Sequence, residues 1–173
     1  MNSCRRYVEF GTGGSTIIAC TTVGESVVSV DSSRHWQDDV MRRLAERRAP
    51  ITPTFQYVDI GPVAAWGWPT DDSRRGDWPA YYTTLWSLDG ACDADLYFID
   101  GRFRVACFME TLLRCRTDAT IVVHDYARSE YQIMGEVAQE IARARTLVAF
   151  RKPPDFDEDR VREILAEFRF DPR

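Results

Sequence analysis

Lysine is almost missing from this chain: Lys152 stands alone beside 21 arginines. Guanidinium groups grip carboxylates and phosphates in bidentate fashion, but a bias this broad reads as a coding preference for GC-rich DNA. Only particular arginines therefore carry an argument. A basic excess is missing as well, since the net charge is −5, which argues against nucleic acid or an anionic membrane as the main partner. No apolar run approaches the roughly 18 to 20 residues of a membrane span, and the opening MNSCRRYVEF has no apolar stretch of the secretory kind. Cysteines 4, 20, 92, 107 and 115 are odd in number, scattered and without a CxxC pair. A disulfide framework or zinc site is thereby disfavoured, and the chain reads as cytoplasmic with reduced thiols. Internal repeats and low-complexity tracts are also lacking.

What is present is a globular balance, with 45% apolar and 28% charged residues in 173, enough for one domain over 1–173. Strand-like runs fall at 7–10 (YVEF), 26–31 (SVVSVD), 54–60 (TFQYVDI), 96–100 (LYFID), 120–124 (TIVVH) and 146–150 (TLVAF). Helical spacing appears between them. A helix starts near Ser15, and another runs over 33–48 with Trp36, Val40 and Leu44 spaced by four. A third carries Val105, Phe108, Met109, Leu112 and Leu113, a fourth carries Ile133, Met134, Val137, Ala138 and Ile141, and the 155–173 tail carries Val161, Ile164, Leu165 and Phe168. Strand–helix alternation predicts an α/β fold: a doubly wound, mostly parallel Rossmann-like sheet of six or seven strands with helices on both faces. Residues 61–82 interrupt the pattern with three of the five tryptophans (66, 68, 78) and three prolines. A segment this long and aromatic reads as an inserted lid or substrate loop in preference to a structural Ω-loop.

EFGTGGST (9–16) sets glycines 11, 13 and 14 between a strand and a helix. Gly11 suits a tight turn, Gly13 a close backbone approach to a ligand, and the helix start offers unpaired N–H groups to an anion. Asp31 ends the second strand 18 residues after Gly13, where a carboxylate can accept both hydroxyls of a ribose. A dinucleotide fingerprint would want glycine where Thr16 stands. The E-x-G-x-G pattern starting at Glu9 instead resembles motif I of class I S-adenosylmethionine-dependent methyltransferases. That resemblance implies S-adenosylmethionine as cofactor, with Glu9, Gly11, Gly13, Gly14, Ser15, Asp31 and Asp100 around it and Asp31 on the ribose.

At the other strand ends, IDGRFR (99–104) and VHDYAR (123–128) bring acids to the sheet's carboxyl edge. Asp100 and Asp125 are expected on neighbouring strands, with His124 or Asp125 as general base. IDGRF lacks the [DNS]-P-P-[YFW] signature of methyltransferases acting on nucleobase amines. Asp100–Gly101 and Asp125–Tyr126 are similar to metal-dependent O-methyltransferases of the macrocin and catechol types, but Arg102 and His124 stand where those carry two further acids. Mg²⁺, an oxygen-seeking cation, is therefore not favoured, and would fall to Asp100 and Asp125 if bound. The wider pattern WGWP…DWPAYY…DGRFRVA…HDY resembles bacterial methyltransferase-like proteins of unassigned activity. The start, about six residues before the first strand, predicts no N-terminal helix over the cofactor. The expectation is O-methylation of a small-molecule or saccharide hydroxyl, with Trp66, Trp68, Arg102, Arg104 and Tyr126 facing the acceptor. Association with a second copy stays open, and the alternatives are a non-catalytic binding domain or, third, a nicotinamide enzyme.

Overall fold

Each central strand divides its side chains between two cores, and this alternation is what makes the strands read as continuous apolar runs. In the computed structural model, which describes residues 4–173, Tyr7 and Val27 join a core with Ala19, Cys20, Val40 and Leu44. Val8, Phe10, Val28, Val30, Tyr97 and Ile99 join the larger core on the opposite face. The first three residues of MNSCRRYVEF lie outside the described chain.

The strands are β1 (Arg6–Phe10), β2 (Ser26–Asp31), β3 (Thr54–Tyr57), β4 (Leu96–Ile99), β5 (Thr120–Val123), β6 (Gln139–Ala144) and β7 (Leu147–Arg151). They form one sheet in the order β3-β2-β1-β4-β5-β7-β6. The first five pair in parallel, and β7 is antiparallel to both β5 and β6. The chain order reverses between β1 and β4, the point where open α/β sheets open a crevice. Helices α1 (Gly14–Thr22) and α2 (Arg34–Arg47) cover one face, while α3 (Ala80–Thr83), α4 (Arg104–Arg114) and α5 (Glu158–Phe168) cover the other. Ser33 caps α2 by accepting from the Trp36 N–H. Nine of the eleven α4 residues are buried, because the helix is sandwiched between sheet and α5.

Two expectations need correction. The helix expected through Ile133 and Ile141 is a 3₁₀ segment, Ser129–Glu136, followed by β6. A 3₁₀ turn also repeats its inward residues at i and i+3, and Tyr131 and Met134 do enter the core that way. Strand β6 has every residue exposed, so it lacks the period-2 alternation that would have marked it. The reading of 61–82 as a single inserted loop holds only for part of the segment. Only its first part stands over the strand ends: Trp78 is 4% exposed and donates from Nε1 to the Ile60 carbonyl at 2.9 Å. Tyr81 and Tyr82 are core residues beside it, so the far end of the segment is fastened rather than mobile.

Candidate functional site

The site is built on backbone meeting backbone. Gly11 has φ +105°, and a Cβ there would sit 2.7 Å from the Gly101 nitrogen. Only glycine lets the ends of β1 and β4 approach this closely. Beyond it, a Cβ on Gly13 or Gly14 would meet nothing within 4 Å, because these residues face an open cavity of about 1010 Å³. That volume is at the upper end of small-ligand pockets. Its wall includes Gly11–Ser15, Asp31, Ser32, Trp36, Ala65–Trp68, Asp100–Arg102, Arg104, His124, Asp125 and Arg128.

Glu9 lies beneath this loop and not against the cavity. It is fully buried and accepts from Tyr7 Oη at 2.9 Å, Ser15 Oγ at 2.7 Å and Thr16 Oγ1. Thr16 Oγ1 in turn accepts the Gly13 N–H at 2.9 Å. The carboxyl thus organises the glycine loop from below, which corrects the expectation that it contacts the cofactor. Burial pushes its pKa up to about 7, against the opposing pull of these hydroxyls and Ser29. Asp31 does face the cavity. Its two oxygens accept the N–H groups of Thr12 and Ser33, each at 2.7 Å, which fixes the carboxylate while leaving each oxygen a further lone pair. Burial raises its pKa, and those N–H groups oppose the rise.

Adjacent β4 and β5 bring Asp100 beside His124, with Nδ1 2.8 Å from Asp100 Oδ1. With the carboxylate accepting, Nδ1 carries the proton and Nε2 keeps a free lone pair. Asp125 Oδ1 is 3.7 Å from Nε2, beyond hydrogen-bond distance. Asp125 has φ +56°, a conformation that aspartate tolerates better than most residues, and its Oδ2 accepts from Arg128 at 2.6 Å.

Arg104 ties this edge together. Its side chain is 4% exposed and donates to the carbonyls of Gly101, His124 and Asp100 at 3.0, 2.9 and 3.0 Å. It also lies 3.2 Å from Asp100 Oδ1 and 3.6 Å from Asp125 Oδ2. The expectation that it meets the acceptor is corrected: its donors are spent on the strand ends. Phe103, just before it, has φ +55°, held by packing against Trp78, Tyr81 and Tyr82. This turn separates its neighbours, with Arg102 left in the cavity wall and Arg104 beneath the two strand ends.

Of the other expected residues, Gly11, Gly13, Gly14, Ser15, Asp100, Asp125, Trp66 and Trp68 all line the cavity. Tyr126 does not: it is buried against Phe150. Trp36, Ser32 and Arg128 line the cavity without having been anticipated. Trp36 continues the Val40–Leu44 stripe in sequence, yet it is 41% exposed, because in the first turn of α2 it faces the cavity and not the core. Among the described residues, no three His, Cys, Asp or Glu side chains are grouped to hold a metal, and no helix is long and apolar enough to cross a membrane.

The fold recurs in solved structures. A methyltransferase-like protein from Silicibacter pomeroyi is 28% identical over 98% of this chain and 89% of its own, with a TM-score of 0.85. The fold is that of class I S-adenosylmethionine-dependent methyltransferases. A ribosomal protein L11 methylase from Lactobacillus delbrueckii subsp. bulgaricus shares it at 16% identity, over 88% of this chain and 72% of that one, with a TM-score of 0.57. So does a variant of MtNAS in complex with S-adenosylmethionine, at 12% identity, over 88% of this chain and 56% of that one, with a TM-score of 0.54. No protein-family model and no curated protein matches the sequence.

Proposed function

We propose that this protein is an S-adenosylmethionine-dependent methyltransferase that O-methylates a small-molecule or saccharide hydroxyl, acting in the cytoplasm. One observation carries the reading: the His124–Asp100 pair at 2.8 Å opens into the same cavity as the bare Gly13–Gly14 cradle. The residues fit the cofactor. The open space above the glycines, the unspent lone pairs of Asp31 and the first-turn N–H groups of α1 suit its backbone approach, ribose and carboxylate. When bound, it supplies an electrophilic methyl group on a sulfonium centre.

The chain's own residues would handle the acceptor. Nε2 of His124 takes the hydroxyl proton as the oxygen loses it, and Asp100 stabilises the resulting imidazolium through Nδ1. Arg104 holds Asp100 and the His124 backbone in place, so the base meets its acceptor in a fixed orientation. Trp66 and Trp68 stand in the cavity wall, where they would pack on a bound acceptor. A magnesium ion on Asp100 and Asp125 is not favoured, because Arg104 and Arg128 already occupy these carboxylates and repel a cation. The net charge of −5 speaks against a nucleic-acid acceptor. The second reading, a non-catalytic binding domain, draws on Trp66, which is 82% exposed.

Calorimetry with S-adenosylhomocysteine tests the proposal. The wild type should bind it, and Asp31→Ala should weaken binding by about 1.5–3 kcal/mol, the scale of hydrogen bonds to a charged group. Binding of NADH with no binding of S-adenosylhomocysteine would overturn it.

A further inference from the structure

Three arginines line the cavity, and two of them are committed. Arg104 is spent on three carbonyls and two carboxylates, and Arg128 on Asp125. Arg102 has no side-chain hydrogen bond and no ion pair among the described residues, and its buried Nε is unpartnered. Its guanidinium lies 5.4 Å from the Trp68 ring centroid, and its Cγ is 3.8 Å from the position of a Cβ on Gly67. Stem and head are thus held against the 65–68 turn. Asp31 attracts Arg102, but the two side chains do not come within ion-pair distance, and the Asp31 oxygens are anchored by the N–H groups of Thr12 and Ser33. Burial and the Arg104 charge together push the Arg102 pKa down.

A partly buried cation without a counter-ion is costly unless something arrives to pair with it. Its free edge presents a planar donor fork, which matches carboxylate and phosphate oxygens. Water alone would satisfy a lysine in this position as well, but it would not use the fork. The cofactor's own carboxylate has the first-turn N–H groups of α1 to meet it, on the glycine-loop side of the cavity. Arg102 stands beside Trp68 and within the field of Asp31, and neither of these supplies it with an ion pair or a hydrogen bond. We infer that Arg102 recognises an anionic group, carboxylate or phosphate, on the methyl acceptor, so that the acceptor is an acidic small molecule such as a sugar acid or sugar phosphate. The word acceptor rests on the proposed methyltransferase reading; the anion site itself does not.

The test compares glucuronate, glucose 6-phosphate and neutral glucose as probes, by calorimetry and tryptophan fluorescence, with and without S-adenosylhomocysteine. At least one charged sugar should bind about 10- to 100-fold more tightly than glucose, the range for hydrogen bonds to a charged group. Arg102→Gln should abolish that preference, and Arg102→Lys should retain part of it. Affinity for S-adenosylhomocysteine should change less than about threefold in Arg102→Gln, and unchanged thermal melting of both variants checks their folding. Equal binding of charged and neutral sugars to the wild type overturns the inference, as does a preference that survives Arg102→Gln. It is also overturned if Arg102→Gln costs tenfold or more in S-adenosylhomocysteine affinity while the sugar preference persists, since the guanidinium then serves the cofactor. A wild type that prefers charged sugars yet fails to bind S-adenosylhomocysteine would remove the methyltransferase reading and leave the anion site standing.

Discussion

Glu9 supplies the sharpest perturbation, because its chemistry separates from its shape. Glu9→Gln keeps the side-chain outline but removes the titration. Burial pushes the carboxyl in the folded protein up to about 7 from an ordinary value of 4.5. The folded state therefore holds the proton more tightly than the unfolded chain. Linkage gives the sign: between the two values the native state carries more protons, so stability falls as pH rises. The contribution is complete below pH 4.5, is lost progressively up to about 7, and changes little above that. Each unit of difference is worth 1.36 kcal/mol, so the loss across the window is about 3 kcal/mol. The assay is denaturant unfolding of wild type and Glu9→Gln at a series of pH values from 4.5 to 8.5. Subtracting one profile from the other cancels the remaining groups. The wild type should lose about 3 kcal/mol relative to the variant over that window. Parallel profiles would refute the reasoning, as would a wild type that gains relative stability with rising pH.

Two further predictions follow from the site and the 61–82 segment. His124→Ala should lower kcat by about 10²–10⁴-fold in a methyl-transfer assay, while EDTA leaves wild-type turnover nearly unchanged; abolition by EDTA with rescue by Mg²⁺ would move the chemistry to a metal. Trp78→Ala should cost about 3–5 kcal/mol of stability, measured by denaturant unfolding, whereas Trp66→Ala on the exposed turn should stay within about 0.5 kcal/mol.

The parallel half of the sheet was legible because its strands obey one physical rule. β2 is read residue for residue as SVVSVD, a valine run bounded by Gly24 and by the Ser32–Ser33 start of α2. Strand β6 was not legible, since it has both faces in solvent and no burial pattern to write into its sequence, whereas its antiparallel partner β7 was read at 146–150. In the site, chain order put Asp100 and Asp125 on neighbouring strand ends with His124 beside the latter, and the hydrogen bond that forms is between Asp100 and His124. Glu9 was found but given the wrong direction. Its parity with Tyr7, two residues earlier and facing the α1–α2 core, was the available signal. The separate fates of Arg102 and Arg104 were hidden, because they depend on a left-handed phenylalanine that no propensity would place there.

The buried guanidinium of Arg104 has a thermodynamic consequence. By spanning the carbonyls of residues 100, 101 and 124, it fixes the ends of β4 and β5 when the chain folds. The rotational freedom of that edge is therefore surrendered before any ligand arrives, and association need not order it again. Such an edge should bind with a small entropic penalty and little induced fit. The same arrangement leaves it unable to adapt to ligands of different shape.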